Sequence, residues 1–246
     1  MKGIIRYILV KISRFIFLIY RFVNVIIPRE FKGDISIKSK LKSKLQSYVV
    51  EETFTCFKND FETSVLFEDA WSIRKYALKN ALFNDKNNEY YYLEFGVWKG
   101  ESANFWSKFV KKLYCFDNFE GLREDWVGSE SPQGQYTNNK EIPKLNSNIE
   151  PIVGWVEDTL DDFLNRHSPK INFVHLDMDT YSPTKFTLEK IKPYLVKNAI
   201  IIFDELYNYY GWKQGEFKAL KEVFNEDEFV FKAFNLSGKQ CVIQIK

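Results

Sequence analysis

The chain has 246 residues, 45% of them hydrophobic and 17% aromatic, enough for one sizeable core with a short appendage. A formal net charge of only +2 argues against a nucleic-acid binder. With His167 and His175 the sole histidines, a His-rich metal site is excluded, and three scattered cysteines (Cys56, Cys115, Cys241) without a CxxC pair point to a reducing compartment rather than a disulfide framework or structural zinc.

The charge is unevenly spread. Residues 1–50 hold 11 Lys and Arg against 2 Asp and Glu, while the remaining 196 residues hold 24 against 31. Residues 3–27 are mostly apolar but carry Arg6, Lys11, Arg14 and Arg21, which cluster with Ser13 and Asn24 on about half of a helical wheel. That pattern predicts a basic amphipathic helix over 1–30, suited to an anionic membrane surface. A transmembrane span needs about 20 largely uncharged residues, and the charge-free runs here, Phe15–Tyr20 and Phe22–Pro28, are far shorter. A signal peptide would need an uninterrupted apolar core and a small-residue cleavage site. The expected location is cytoplasmic, on the inner face of the membrane; docking of the helix on protein is the competing reading. Residues 31–50, including KSKLKSK, are expected to be a basic linker, and 51–246 the functional domain.

Along that domain, 61–83 is predicted as one long helix with Phe61, Val65, Phe67, Trp71, Ile73, Tyr76, Ala77 and Leu82 on its apolar side. Apolar runs at 90–96, 112–117, 150–154, 171–177 and 199–205 read as buried strands, separated by helix-like segments at 101–111, 158–167, 183–195 and 214–225. Residues 229–234 and 240–246 read as a terminal hairpin joined by NLSGK. The pattern predicts an α/β, Rossmann-like, mostly parallel sheet of seven strands with an antiparallel terminal hairpin and helices on both faces. The polar interval 121–148 is too long for an ordinary connection and is expected to face substrate.

Four runs end in an acid: Glu94, Asp117, Asp177 and Asp204. Ligands of open α/β sheets bind outside the carboxyl ends of the strands, so these acids converge where a ligand sits. One acid after a strand could simply cap a helix; four make that reading weak. In EFGVWKGES, Gly96 and Gly100 permit a tight turn and close approach to a ligand, and Asp117 follows Gly96 by 21 residues, the separation at which an acid meets ribose hydroxyls. The dinucleotide pattern GxGxxG would need glycine at Trp98. His175 is expected to be a packed, hydrogen-bonded strand residue. Tyr181, Tyr207, Tyr209, Tyr210 and Trp212 are candidates for an apolar substrate wall, and Glu216, Lys218 and Lys221 read as a solvated helix face.

The segments EFGVWKGES, YCFDNFEGL, GWVEDTL, HLDMDTYSPT and FDELYNYYGWKQGEFKA resemble the successive blocks of the macrocin-type sugar O-methyltransferases, which are class I SAM-dependent enzymes; the similarity covers roughly 88–246. The resemblance implies that Glu94, Gly96 and Gly100 form the loop under the methionine part of SAM. It likewise implies that Asp117 serves the ribose, Gly154, Trp155 and Asp158 the adenine side, and that Ser102, Phe119 and Asp177 are further cofactor-binding residues. In members that use magnesium, acids matching Asp177, Asp204 and Glu205 hold the ion and one matching Asp179 is the base. Trp98 departs from the pattern, since many SAM enzymes have glycine there. The chemistry is self-consistent: a sugar hydroxyl must lose its proton to attack, and carboxylates suit both Mg²⁺ and proton transfer. The expected partner is a small-molecule or glycan-like hydroxyl acceptor, with no nucleic acid and with homo-oligomers open. Two other classes remain: an NAD(P)-dependent oxidoreductase, disfavoured by the missing glycine, and a non-catalytic membrane-tethered binding protein, disfavoured by the cost of burying unused carboxylates.

Overall fold

The computed structural model describes residues 29–246, with side chains from Lys40 onward. The expected amphipathic helix over 1–30 lies almost wholly outside the described residues. The chain divides into two units, Met1–Tyr48 and Val49–Lys246. Helix α1 (Arg29–Thr63) takes in the whole stretch expected as a linker. The physical reason is local: from Asp34 to Thr63 there is no Gly or Pro, and Lys, Leu and Gln are good helix formers. In the first unit, residues 40–48 are exposed. Among the described residues no helix is long and apolar enough to cross a membrane.

In the second unit the helix predicted over 61–83 is instead three elements. α1 ends at Thr63, β1 (Val65–Phe67) follows, and α2 (Ala70–Asn84) begins after Asp69, whose side chain accepts the Ser72 N–H at 2.9 Å. The apolar spacing through Val65 and Phe67 fitted a helix because a three-residue strand is too short to show a period of two. The other elements follow in the predicted order: β2 (Tyr91–Phe95), α3 (Glu101–Trp106), β3 (Leu113–Asp117), β4 (Ile149–Val153), α4 (Val156–His167), β5 (Ile171–Leu176), α5 (Tyr181–Ile191), β6 (Leu195–Phe203), α6 (Glu216–Val223), β7 (Phe229–Asn235) and β8 (Cys241–Ile245).

These strands form one eight-stranded sheet in the order β1-β7-β8-β6-β5-β2-β3-β4, one strand more than expected. β8 runs antiparallel to β6 and β7; every other pair is parallel. Alternate residues of each strand feed two cores. Leu93, Phe95, Val174, Leu176, Ile201 and Phe203 pack on one face, with α4, α5, α6 and the end of α1. Tyr92, Phe173, Ile200 and Ile202 pack on the other, under α2 and α3. Near the end of α1, Phe57 is ringed by Phe61, Tyr207, Trp212, Phe217, Phe231 and Phe234 at centroid distances of 5.4–6.1 Å.

From β2 the chain moves outward through β3 and β4, then returns to place β5 on the other side of β2. That reversal opens a crevice at the carboxyl ends of β2 and β5, the usual ligand position in such sheets.

Candidate active site

The crevice is a cleft of about 510 Å³. Its floor is set by backbone pairing: the Asp177 N–H donates to the Phe95 carbonyl at 2.8 Å, and the Gly96 N–H to the Phe116 carbonyl at 2.9 Å. Gly96 has φ +90°, and a Cβ there would lie 1.8 Å from the Asp177 carbonyl oxygen, so no other residue fits. Asp117, at the end of β3, holds the following loop. Its Oδ2 accepts the Val97 and Trp98 N–H groups at 2.6 and 2.8 Å, and its Oδ1 accepts the Phe119 N–H at 2.6 Å. Trp98 adopts φ +46°, the left-handed conformation that explains why glycine is common at this place. Its ring packs edge-on against Tyr136 at 5.5 Å.

Of the candidate residues, Asp117, Gly96, Ser102, Gly154, Trp155, Asp177, Asp179 and Glu205 line the cleft. Five candidates do not. Glu94 sits inside β2, one residue short of its end, so its fully buried carboxylate accepts Trp106 Nε1 (3.1 Å), His175 Nδ1 (2.8 Å) and the Cys115 thiol (3.4 Å). Gly100 caps α3 at φ +78° and faces Leu145 and Pro143. Phe119 is buried beneath the loop and serves through its backbone: its N–H meets Asp117, and its carbonyl accepts the Asn138 and Lys140 N–H groups. Asp158 is exposed in the first turn of α4, because Val156 and Leu160 take the inward positions. Asp204 lies beside the cleft and is already engaged: Arg74 Nη2 at 2.6 Å, Gln240 Nε2 at 3.2 Å and His175 Nε2 at 3.5 Å.

The acids that do converge are Asp177, Asp179 and Glu205, whose ligating atoms lie within 4.8 Å of one another. A second set at the same spacing, His175, Asp177 and Asp204, contains a histidine already hydrogen-bonded at both nitrogens. The acids expected to hold an ion, Asp177, Asp204 and Glu205, are not grouped as such: Asp204 falls with His175 and Asp177, and Asp179 stands with Asp177 and Glu205. Burial pushes Asp177 and Glu205 well above the usual carboxylate range, and the Asp204 charge pushes them further. Burial with the same neighbour raises Asp179 to about 7. Asp204 goes the other way: burial works against its charge, but His175 and Arg74 hold it well below the usual range. His175 is pushed up to about 10, since its hydrogen bonds to Asp204 and Glu94 outweigh its burial. Asp179 also has φ +63°, a strained conformation of the kind that clusters at functional sites.

Four further features were not read from the sequence. Arg74 reaches in from α2 and Lys239 from the turn between β7 and β8, and both line the cleft. Glu216, expected on a solvated face, is fully buried, and its Oε2 accepts the Glu205 N–H at 3.0 Å. The helical wheel of α6 does place it next to Leu220 and Ala219, a signal that could have found it. The fourth is a second cleft of about 320 Å³, which shares Trp126, Asp179 and Thr180 with the first and is also lined by Tyr181 and Gln214. Of the proposed aromatic wall, Tyr181 lines this second cleft. Tyr207 and Trp212 are buried in the aromatic nest around Phe57, and Tyr209 packs on Trp126 at 5.6 Å. The long interval does cover the site: Gly121, Leu122, Arg123, Trp126 and Tyr136 line the first cleft.

Residues 93–206 match the model of a family described as a methyltransferase domain. Among solved structures the chain is similar to CalS11, a calicheamicin methyltransferase (22% identity over 68% of this chain and 76% of that one, TM-score 0.55). An apo structure of the same protein, described as TDP-rhamnose 3'-O-methyltransferase, gives 20% identity over 70% and 76% with a TM-score of 0.51. The O-methyltransferase NovP gives 14% over 70% and 79%, TM-score 0.50. At these identities the likeness is one of fold. No curated protein matches the chain.

Proposed function

We propose that the domain transfers a methyl group from SAM to a hydroxyl of a sugar-like acceptor, assisted by a divalent cation such as Mg²⁺. One observation carries the reading: Asp179 lines both clefts and stands within ligand distance of Asp177 and Glu205. The residues fit both groups. Asp117 has lone pairs beyond its three backbone bonds for ribose hydroxyls, since a carboxylate offers about four, and Trp155 presents a ring on the α4 side. For the ion, carboxylate oxygens of Asp177, Asp179 and Glu205 converge, and Glu205 Oε2 is buried with no hydrogen-bond partner.

When bound, SAM supplies an electrophilic sulfonium methyl group, and the cation supplies acidity to a contacting hydroxyl. The protein does the rest. Asp177 and Glu205 would hold the cation. Asp179 takes the acceptor hydroxyl proton there, and a base raised to about 7 is matched to neutral pH. Trp126 and the 121–136 loop wall off the junction and align the attacking oxygen with the methyl group. Methyl transfer from labelled SAM to a panel of glycosides, with and without EDTA, tests the reading. SAH affinity measured beside NAD affinity separates it from the oxidoreductase alternative: preference for NAD overturns it.

For residues 1–30 we propose attachment to an anionic membrane surface, supported by their basic amphipathic pattern. Flotation with phosphatidylserine vesicles at low salt, with and without residues 1–30, tests it; equal flotation of both forms defeats it.

A further inference from the structure

Four cations line the cofactor cleft, and three are committed elsewhere. Arg74 pairs with Asp204 at 2.6 Å, Arg123 with Glu157 at 3.0 Å, and Lys99 lies over the Trp98 ring at 4.3 Å. Lys239 is placed differently. Its ammonium stands 4.0 Å from Glu205 Oε1, beside the converging acids, and over two aromatic faces, Trp126 at 4.6 Å and Tyr209 at 5.3 Å. The turn that carries it is tightly held. Asn235 and Gln240 pair through backbone (3.0 Å) and side chains (2.6 Å), Asn208 Nδ2 bonds the Gly238 carbonyl at 3.0 Å, and the Lys239 carbonyl accepts the Leu206 N–H at 3.1 Å. A rigid turn delivering a flexible four-carbon stem puts one mobile positive charge within reach of the acids, and the aromatic shelf gives it a resting place.

We propose that Lys239 is the built-in counter-cation of the acid site: it partly neutralises Asp179 and Glu205 while no metal is bound, and it competes with the divalent ion that replaces it. The ligating oxygens of Asp177, Asp179 and Glu205 stand within 4.8 Å of one another, so any charges they carry repel, and an ammonium seated among them would block the site; at 4.0 Å from Glu205, with cation–π support, Lys239 attracts without occupying it. The competition half of the inference rests on the cation reading given above; the counter-charge half does not.

Lys239→Met keeps the stem and removes the charge, and Lys239→Arg keeps the charge. In EDTA-treated full-length protein at low salt, Lys239→Met should melt several degrees below the parent and Lys239→Arg close to it. SAH affinity confirms that each variant is folded, with Lys239→Gln replacing the Met variant if that one fails. By calorimetry, Mg²⁺ should bind Lys239→Met about tenfold more tightly than the parent. Unchanged or weaker Mg²⁺ binding overturns the proposal. If neither protein binds Mg²⁺, the cation reading of the site falls, and the melting comparison decides the counter-charge: an equal melting temperature overturns it.

Discussion

Asp117 is the residue whose two tasks compete. Its carboxylate fixes the loop through three backbone N–H groups, and in the proposed function the same oxygens accept ribose hydroxyls. Asp117→Ala therefore orphans three donors at once. We expect SAH affinity to fall by about 1–3 kcal/mol, the cost of unsatisfied polar contacts, together with a lower melting temperature; calorimetry that finds SAH binding unaltered removes Asp117 from the cofactor site. Asp179 is the opposite case, since its side chain has no structural bond to lose. Asp179→Asn should abolish measurable methyl transfer and leave SAH affinity within about twofold, as expected when proton acceptance and not cofactor binding is lost. Arg74 belongs with Asp204 as a half-buried pair. Arg74→Met leaves a buried carboxylate facing only His175 and Gln240, and breaking such a pair costs about 3–5 kcal/mol. A loss under 1 kcal/mol in urea unfolding would show that His175 alone suffices.

At the scale of elements, the sequence carried most of the sheet and less of the site. Seven strands were legible because parallel strands buried on both faces read as unbroken apolar runs, as Ile200–Phe203 does. β1 was not, since it has three residues and gains its place only through pairing with β7. Strand-end acids were legible as a set, but their directions were not. Glu94 lies within β2, level with His175, and is enclosed by the α3 core, whereas Asp177 stands two positions farther along, just past the end of β5, where the sheet gives way to the cleft. Arg74 and Lys239 come from α2 and from the β7–β8 turn, so only the folded sheet brings them to the acids. The β2–β5 junction gives this scale its own prediction. Gly96→Ala places a methyl group 1.8 Å from the Asp177 carbonyl, and relief requires the two strand ends to part. We expect SAH binding to be lost and the melting temperature to drop; a variant that binds SAH normally would mean the strand ends yield easily.

The whole molecule carries its acid site as a pH-dependent load. Asp177, Asp179, Glu205 and Glu216 are all raised by burial, so the folded chain holds protons that the unfolded chain has released. For Asp179 the stability so gained is complete below about 4, its ordinary value, and is lost as pH rises through about 7. Asp204 has the reverse sign, and its contribution disappears only in strong acid. In EDTA, stability should decline between about pH 4 and 7, and Asp179→Asn should flatten that slope; a flat profile in the parent contradicts the raised values.

The sheet order also sets a sequence of events in time. β2, β3 and β4 are neighbours formed by consecutive strands, whereas β2 meets β5 only after a chain loop from Phe95 to Ile171 has closed. Longer loops cost more entropy before their contacts repay it, so we expect the β2–β5 junction, and with it the cleft, to form late, after the barrier is crossed. A ligand seated there can slow escape from the native state but has nothing to hold on the way in, so SAH should reduce the unfolding rate and leave the refolding rate as it was.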